Sequence, residues 1–305
     1  MTADEGFGVP VPEATMQRWA ESALQIRAND WLLEKASVPE IEAPFGSLEV
    51  LYQRESISQW CREGLRSAND HMTVWANHAV PLQQHEGQVV RSHGFRWYFT
   101  LLRGAIEGAA QSGWLSSSAT RDEAIARLLR LARHDVLEQS KAWKAMGRDA
   151  TRVTERLGRL DADADAWADP SARKPLPSMV SLIRSSAVAL EADPDLLEAH
   201  WRTCSAAAHG KEWAVNELQV FAPEAHEWRP GQYLRSGHLD PDRWTTMLGD
   251  VLDFESRAIV SFLQRTSTLD IGDMLREAFW AAAKGTPQRD GGAHLARIGE
   301  ELGLG

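Results

Sequence analysis

The chain is dominated by helical periodicity, with apolar residues recurring at intervals of three and four. This spacing is typical of helices that bury one face. It predicts helices at 12–35, 46–79, 93–115, 119–147, 149–168, 177–190, 193–209, 240–267 and 269–284, with a short one at 291–302. Residues 211–237 differ, because an apolar alternation followed by glycine and proline favours a small hairpin or an irregular loop. The pattern therefore predicts an all-α, multi-helix bundle with one short insertion near 211–237.

The predicted helices suggest a division of the chain. We expect three parts, namely an N-terminal helical segment (1–45), a helical bundle (46–267) and a C-terminal helical tail (268–305). A linker at 169–176 is expected to join two halves of one domain. Beyond it, Asp193 followed by Pro194 marks the start of a helix, because a capping residue and then proline is the usual order there.

One predicted helix, 93–115, is apolar on almost every side. Its polar residues form a single stripe, spaced four, three, four and four along the helix, namely Arg96, Thr100, Arg103, Glu107 and Gln111. We expect Arg103 and Glu107 to pair with each other or with another helix, because buried charges without partners are costly. Either the pair fixes the helix register, or the stripe supports a site on a neighbouring helix, which we expect to be helix 193–209.

The stretch HWRTCSAAAHG, residues 200–210, carries the candidate chemistry. Arg202 and His209 are seven residues apart, so on a helix they lie about 20° apart in azimuth and about 10 Å apart along the axis. Ser205 lies near the same line, and Gly210 is the usual residue just past a helix end. In the last turn the helix dipole favours the protonated imidazole. An arginine that holds phosphate and a histidine that moves protons are suitable groups for cleaving a phosphodiester without a metal.

Arg202 and His209, with six residues between them, resemble the RX4–6H motif of HEPN domains, and Thr203 supplies a polar residue after the arginine. The resemblance covers about residues 46–265 and implies a helical bundle that is commonly a homodimer. Many HEPN proteins are metal-independent endoribonucleases of toxin–antitoxin, abortive-infection and CRISPR systems. The resemblance implies that two copies of Arg202 and His209 face each other across a dimer cleft. The arginine would hold the scissile phosphate of RNA, and His209 would move protons to and from the 2′-hydroxyl and the leaving oxygen.

A second likeness bears on the fold more than on the activity. The chain is similar to actinobacterial helical proteins of unassigned function that carry an R-x-x-x-E helix, here Arg103 to Glu107. Those proteins also carry a later S-x-x-x-H-G, here Ser205 to Gly210. Ser205, Arg103 and Glu107 are therefore candidate supporting residues.

The same residues also allow a non-catalytic interpretation. Arg202 can pair with Glu198, four residues before it, and a histidine before glycine can cap helix carbonyls. Two hypotheses follow. The first is a HEPN-like ribonuclease or toxin, for example one of phage defence, with Arg202 and His209 at its core. The second is a helical interaction or regulatory protein that binds a partner protein, for example an antitoxin or a regulator.

Charge is distributed unevenly along the chain. The formal net charge of −10 argues against binding nucleic acid through the entire surface. Residues 91–160, by contrast, hold 13 Lys and Arg against 7 Asp and Glu, a local charge of +6. A basic middle of this kind is either a partner or phosphate site or a solvated helix face.

Other features bear on location and cofactors. The N-terminus is acidic, and no apolar stretch reaches about 18 residues, so we expect no signal peptide, no membrane partner and a cytoplasmic protein. The two cysteines, Cys61 and Cys204, fit neither a disulfide framework nor a CxxC metal site. No zinc or di-iron histidine motif and no nucleotide-binding glycine motif occurs, so we expect no metal and no cofactor.

Overall fold

A computed structural model of the protein describes residues 9–80, 91–92, 96–221, 226–234, 237–286, 296 and 300. Within these residues the predicted all-α, multi-helix bundle is confirmed. The helices are α1 (Glu13–Lys35), α2 (Pro44–Leu51), α3 (Ile57–Ala79), α4 (Arg96–Ser116), α5 (Arg121–Ala145), α6 (Thr151–Ala166), α7 (Met179–Ala189), α8 (Pro194–Ala208), α9 (Glu212–Leu218), α10 (Pro241–Thr266) and α11 (Ile271–Lys284). A turn of 3-10 helix, Pro170–Arg173, lies within the predicted linker.

The prediction of one helix over 46–79 is wrong, because α2 and α3 are separate helices there. Ser56 starts α3 as its cap, and its hydroxyl oxygen accepts the Gln59 N–H at 3.0 Å. The Glu49 carboxylate lies against the same turn and accepts the Ser56 hydroxyl at 2.7 Å. These local side-chain bonds compensate the backbone bonds lost at the break.

The hairpin alternative for 211–237 is confirmed, but a short helix, α9, precedes the strands and was not predicted. Ala214 and Leu218 of α9 are four residues apart and both buried, which is helical spacing. The strands are β1 (Val9–Pro10), β2 (Arg91–Ser92), β3 (Gln219–Phe221), β4 (His226–Arg229), β5 (Gln232–Leu234) and β6 (Gly237–Leu239). They pair antiparallel as β1 with β2, β3 with β6 and β4 with β5, and Gly231 takes a φ of 73° in the β4–β5 turn. Most of the predicted helix at 291–302 lies outside the described residues.

The helix predicted to be central, α4, packs against α3, α7, α8 and α10. Its crossing with α3 is close, since a Cβ added at Gly108 would lie 2.4 Å from the Gly64 carbonyl oxygen. One turn further along α4, the buried Ser112 hydroxyl donates to the Cys61 carbonyl oxygen at 2.7 Å. The predicted contact between α4 and α8 is confirmed, so the polar stripe of α4 and the HWRTCSAAAHG stretch are neighbours.

The N- and C-terminal helices pack on this central group. α1 contacts α3, α10 and α11. The rings of Trp19 in α1 and Trp75 in α3 meet edge to face with centroids 5.8 Å apart, and Trp19 Nε1 donates to Thr245 in α10 at 2.8 Å. One continuous apolar core includes residues from all three predicted parts of the chain. The division at residues 45 and 267 stays a prediction.

Candidate functional site

Helix α8 ends in a turn that leaves its last side chain at the surface. His209 caps the helix, and Gly210 follows with a φ of 71°. The Gly210 N–H donates to the Ala207 carbonyl at 3.1 Å, and the Lys211 N–H donates to the Ala206 carbonyl at 2.9 Å. This pair of bonds is the Schellman ending, which requires a left-handed residue and so favours glycine. The turn satisfies the last helix carbonyls through backbone groups, which leaves the exposed His209 ring available for other contacts.

The His209 ring contacts a guanidinium from α4. Its Nε2 lies 3.3 Å from Arg103 Nη1, and the two residues are 106 positions apart in the chain. An arginine can only donate, so Nε2 is the acceptor where this contact is a hydrogen bond. The contact therefore brings a guanidinium of α4 to the histidine at the end of α8.

The predicted pairing of Arg103 with Glu107 is confirmed, and it extends to α8. Arg103 Nε donates to Glu107 Oε1 at 2.8 Å, and the same oxygen accepts Trp201 Nε1 at 2.8 Å. The Arg103 guanidinium lies over the Trp201 ring, 5.9 Å from its centroid. Both side chains of the ion pair are about a quarter to a third exposed. Glu107 thus orients the guanidinium that faces His209.

Arg202 lies on the exposed side of α8 and pairs with Glu198. Arg202 Nε donates to Glu198 Oε1 at 2.7 Å, and the Arg202 side chain is 58% exposed. Glu198 Oε2 also accepts Arg184 Nη1 at 2.8 Å. Hydrogen bonds from Arg184 and Arg202 lower the pKa of Glu198. The predicted Arg202–Glu198 pair is therefore present, and Arg202 reaches toward the start of α8 rather than toward His209.

Ser205 and Cys204 lie on the more buried sides of the motif. The Ser205 side chain is half-buried, and its carbonyl accepts the His209 N–H at 3.1 Å. Cys204 is fully buried, and this burial raises the pKa of its thiol. A thiol held in its protonated form is a poor nucleophile, so His209 and Arg202 are the candidate functional groups of the stretch.

The sequence did not single out two further side chains, Arg96 beside this site and His200 on the opposite side of α8. A Cβ added at Gly210 would lie 3.3 Å from Arg96 Nη1, so the Arg96 guanidinium lies beside the turn that follows His209. The sequence did hold a signal for Arg96, the polar stripe of α4, because Arg96 precedes Arg103 by seven residues and falls on the same face of the helix. On the other side of α8, His200 Nε2 lies 2.8 Å from Asp250 Oδ2 and ties α8 to α10.

A scan against family models, a search of curated proteins and a search of solved structures each find no match to this chain. Within the described part of the chain, His, Cys, Asp and Glu side chains form no group of three or more that could hold a metal ion. No helix among the same residues is long and apolar enough to cross a membrane. The candidate site therefore consists of the His209 ring, the guanidinium groups around it and the Glu107 carboxylate.

Proposed function

We propose that the protein is a metal-independent endoribonuclease of the HEPN type, with His209 as the group that moves protons. The observation that carries this proposal is the contact between the exposed His209 ring and the Arg103 guanidinium, which Glu107 orients. A neutral imidazole at the surface can accept a proton, and a guanidinium beside it can hold the phosphate on which the reaction takes place.

The reaction is an attack by the ribose 2′-oxygen on the adjacent phosphorus. His209 removes the proton of the 2′-hydroxyl as the new P–O2′ bond forms. The P–O5′ bond breaks, and the leaving 5′-oxygen takes a proton from the protonated imidazole. The products are a 2′,3′-cyclic phosphate and a 5′-hydroxyl, so no water, metal ion or oxidant is consumed.

Binding of the phosphate prepares His209 for this step. The Nη1–Nε2 contact at 3.3 Å is longer than a usual N–H···acceptor hydrogen bond, so it is weak. A phosphate oxygen is a much stronger acceptor for a guanidinium than a neutral imidazole is. When the phosphate takes the Arg103 N–H, the Nε2 lone pair becomes free to accept the 2′-hydroxyl proton. Arg96, beside Gly210, adds a second positive charge at the same place.

Arg202 supplies phosphate binding in a homodimer, where two α8 ends face one cleft. Its pair with Glu198 is largely exposed on the arginine side, and exposed ion pairs contribute only about 0–1 kcal/mol. A phosphodiester can therefore displace Glu198 from Arg202 at little cost. The physiological setting under this proposal is a cytoplasmic toxin or phage-defence nuclease that acts on RNA.

The identity of the products tests the chemistry. Purified protein is incubated with a defined RNA in EDTA, and mass spectrometry determines the ends of the fragments. We expect 2′,3′-cyclic phosphate and 5′-hydroxyl ends. Products that carry 5′-phosphate, or cleavage that EDTA abolishes, contradict the proposed reaction.

A matched pair of variants tests the role of Arg202. Arg202→Lys keeps the charge but lacks the planar fork that binds phosphate in two places, so cleavage should fall well below wild type. Arg276 is the control, because it is also an exposed arginine (52%) in a helical ion pair, with Asp273. The Arg276→Lys protein should cleave RNA at the wild-type rate. Equal rates for the two variants would show that Arg202 does not bind the phosphate.

The contacts of this site also favour a second candidate function, a non-catalytic interaction or regulatory protein. Arg202 is bound by Glu198, and Arg103 is bound by Glu107. The same two carboxylates link helices, because Glu198 also accepts Arg184 of α7 and Glu107 also accepts Trp201 of α8. Under this alternative, Glu198→Gln lowers the melting temperature and weakens association with a partner protein, while the wild-type protein leaves RNA intact. Cleavage of RNA by the wild type decides against it.

A further inference from the structure

A cleft separate from the His209 site lies between α5 and α6. Its volume is about 340 Å³, and the residues that follow the 3-10 turn Pro170–Arg173 also line it. None of its lining residues belongs to the group around His209. Pockets that bind small molecules begin at about 300 Å³, so the α5–α6 cleft is large enough for a small ligand.

The charged residues of the α5–α6 cleft are mostly cations. Arg130, Arg133, Arg173 and Lys174 line it, against a single carboxylate, Asp161. The chain as a whole carries a net charge of −10, so this lining is opposite in sign to most of the protein. An anionic ligand would therefore be attracted to this position in preference to the rest of the surface.

All three guanidinium groups are already bonded within the protein, and Arg173 pairs with Asp165 at 2.9 Å. Arg130 donates from Nε and Nη2 to the Pro175 carbonyl at 3.1 and 2.6 Å. Arg133 donates from Nε to Asp161 at 2.7 Å and from Nη1 to the Ala172 carbonyl at 3.1 Å. Each guanidinium has five N–H groups, so N–H groups remain for a ligand. A ligand loses less affinity to side-chain ordering when its binding groups are already held.

Apart from His134, the remainder of the lining is aliphatic. Leu137, Leu157, Pro175 and Leu176 face the cleft beside the cations. Leu137 lies on the same face of α5 as Arg130 and Arg133, and it is 42% exposed. Aliphatic side chains that stay partly exposed beside fixed cations suit a ligand with an apolar body and an anionic head.

We propose that the α5–α6 cleft binds a small amphiphilic anion, in which a phosphate or carboxylate head is joined to a short aliphatic body. The head binds Arg133, Arg173 and Lys174, and the body lies on Leu137, Leu157 and Leu176. This site is independent of RNA cleavage and of the His209 group. It assigns a ligand to part of the basic region at 91–160.

Three probes separate the contributions of head and body. Hexyl phosphate, inorganic phosphate and hexanol are titrated into the full chain by calorimetry at low salt. Burial of each methylene strengthens binding roughly threefold to fourfold, so hexyl phosphate should bind at least about tenfold more tightly than inorganic phosphate. Hexanol should show no detectable binding. Absence of hexyl phosphate binding, or equal affinities for hexyl and inorganic phosphate, overturns the proposal.

Two matched pairs of variants locate the ligand. Lys174→Glu should lower the affinity for hexyl phosphate by about tenfold or more. Lys144 is an exposed residue of α5 outside the cleft, so Lys144→Glu should change this affinity far less. Leu137→Ser should lower the affinity for hexyl phosphate but not that for inorganic phosphate. Val188 is 66% exposed on α7, and Val188→Ser should alter neither affinity. Equal effects of the members of either pair would mean that the ligand binds elsewhere, and the proposal would be wrong.

Discussion

Glutamine in place of Glu255 should remove a large dependence of stability on pH. Glu255 lies in α10, its side chain is fully buried, and neither carboxylate oxygen has a hydrogen-bond partner among the described residues. Desolvation by this burial raises the pKa of Glu255 from 4.5 to about 8. The folded protein therefore keeps a neutral carboxyl where the unfolded chain has an ionised one.

The sign and size of the effect follow from the two pKa values. Below about pH 4.5 the group is protonated in both states, so its contribution to stability is fully present. As pH rises from there to about 8, only the unfolded chain releases the proton, and the free energy of unfolding falls by about 1.4 kcal/mol per pH unit. The total loss is on the order of 4–5 kcal/mol, and it is complete above the folded pKa.

Urea unfolding of wild type and Glu255→Gln between about pH 5 and 9 measures this difference. The two proteins should have similar stability near pH 5, and the variant should be more stable by several kcal/mol near pH 9. Asp253→Asn is the control, because Asp253 lies on the same helix but is 61% exposed, and its curve should parallel that of wild type. Parallel curves for wild type and Glu255→Gln would refute the reasoning.

Three further substitutions test the packing and the ends of the helices by thermal unfolding. Gly108→Ala should destabilise the protein by about 1–3 kcal/mol or more, because the new Cβ meets the Gly64 backbone at the α3–α4 crossing. Gly158→Ala, in open space on α6, should instead stabilise it by up to about 1 kcal/mol, and equal effects of the two would contradict the close crossing. Asp193→Ala should lower the stability by about 0.5–2 kcal/mol, because Asp193 accepts the Asp195 and Leu196 N–H groups at the start of α8. An unchanged melting temperature would show that this cap is dispensable.

The features predictable from sequence were those that depend on near neighbours in the chain. Asp193 caps α8 as expected, because its partners lie two and three residues further on. The Arg103–Glu107 pair is likewise set by the four-residue spacing of the helix. The approach of α4 to α8 could also be inferred, since the polar stripe of an otherwise apolar helix must face a partner.

The features that could not be predicted depend on contacts between distant parts of the chain. The Arg103–His209 contact joins residues 106 positions apart, and no local pattern fixes which guanidinium reaches the ring. The break between α2 and α3 was missed because the folding back of Glu49 onto Ser56 competes with helix continuation. The close α3–α4 crossing did leave a signal, the glycines at 104 and 108, which lie on one face of α4.

The measurement that tests the central claim most directly is the rate of RNA cleavage per folded molecule in EDTA, for wild type and His209→Ala. The histidine is exposed at a helix end, so its removal should cost at most about 1–2 kcal/mol of stability, while loss of acid–base catalysis should lower the rate by roughly 10²–10⁴. His134→Ala, an exposed histidine on α5, should cleave at the wild-type rate. A wild-type protein that leaves RNA intact, or a folded His209→Ala protein that cleaves as fast as wild type, would contradict the assignment of His209 as the proton-transfer group.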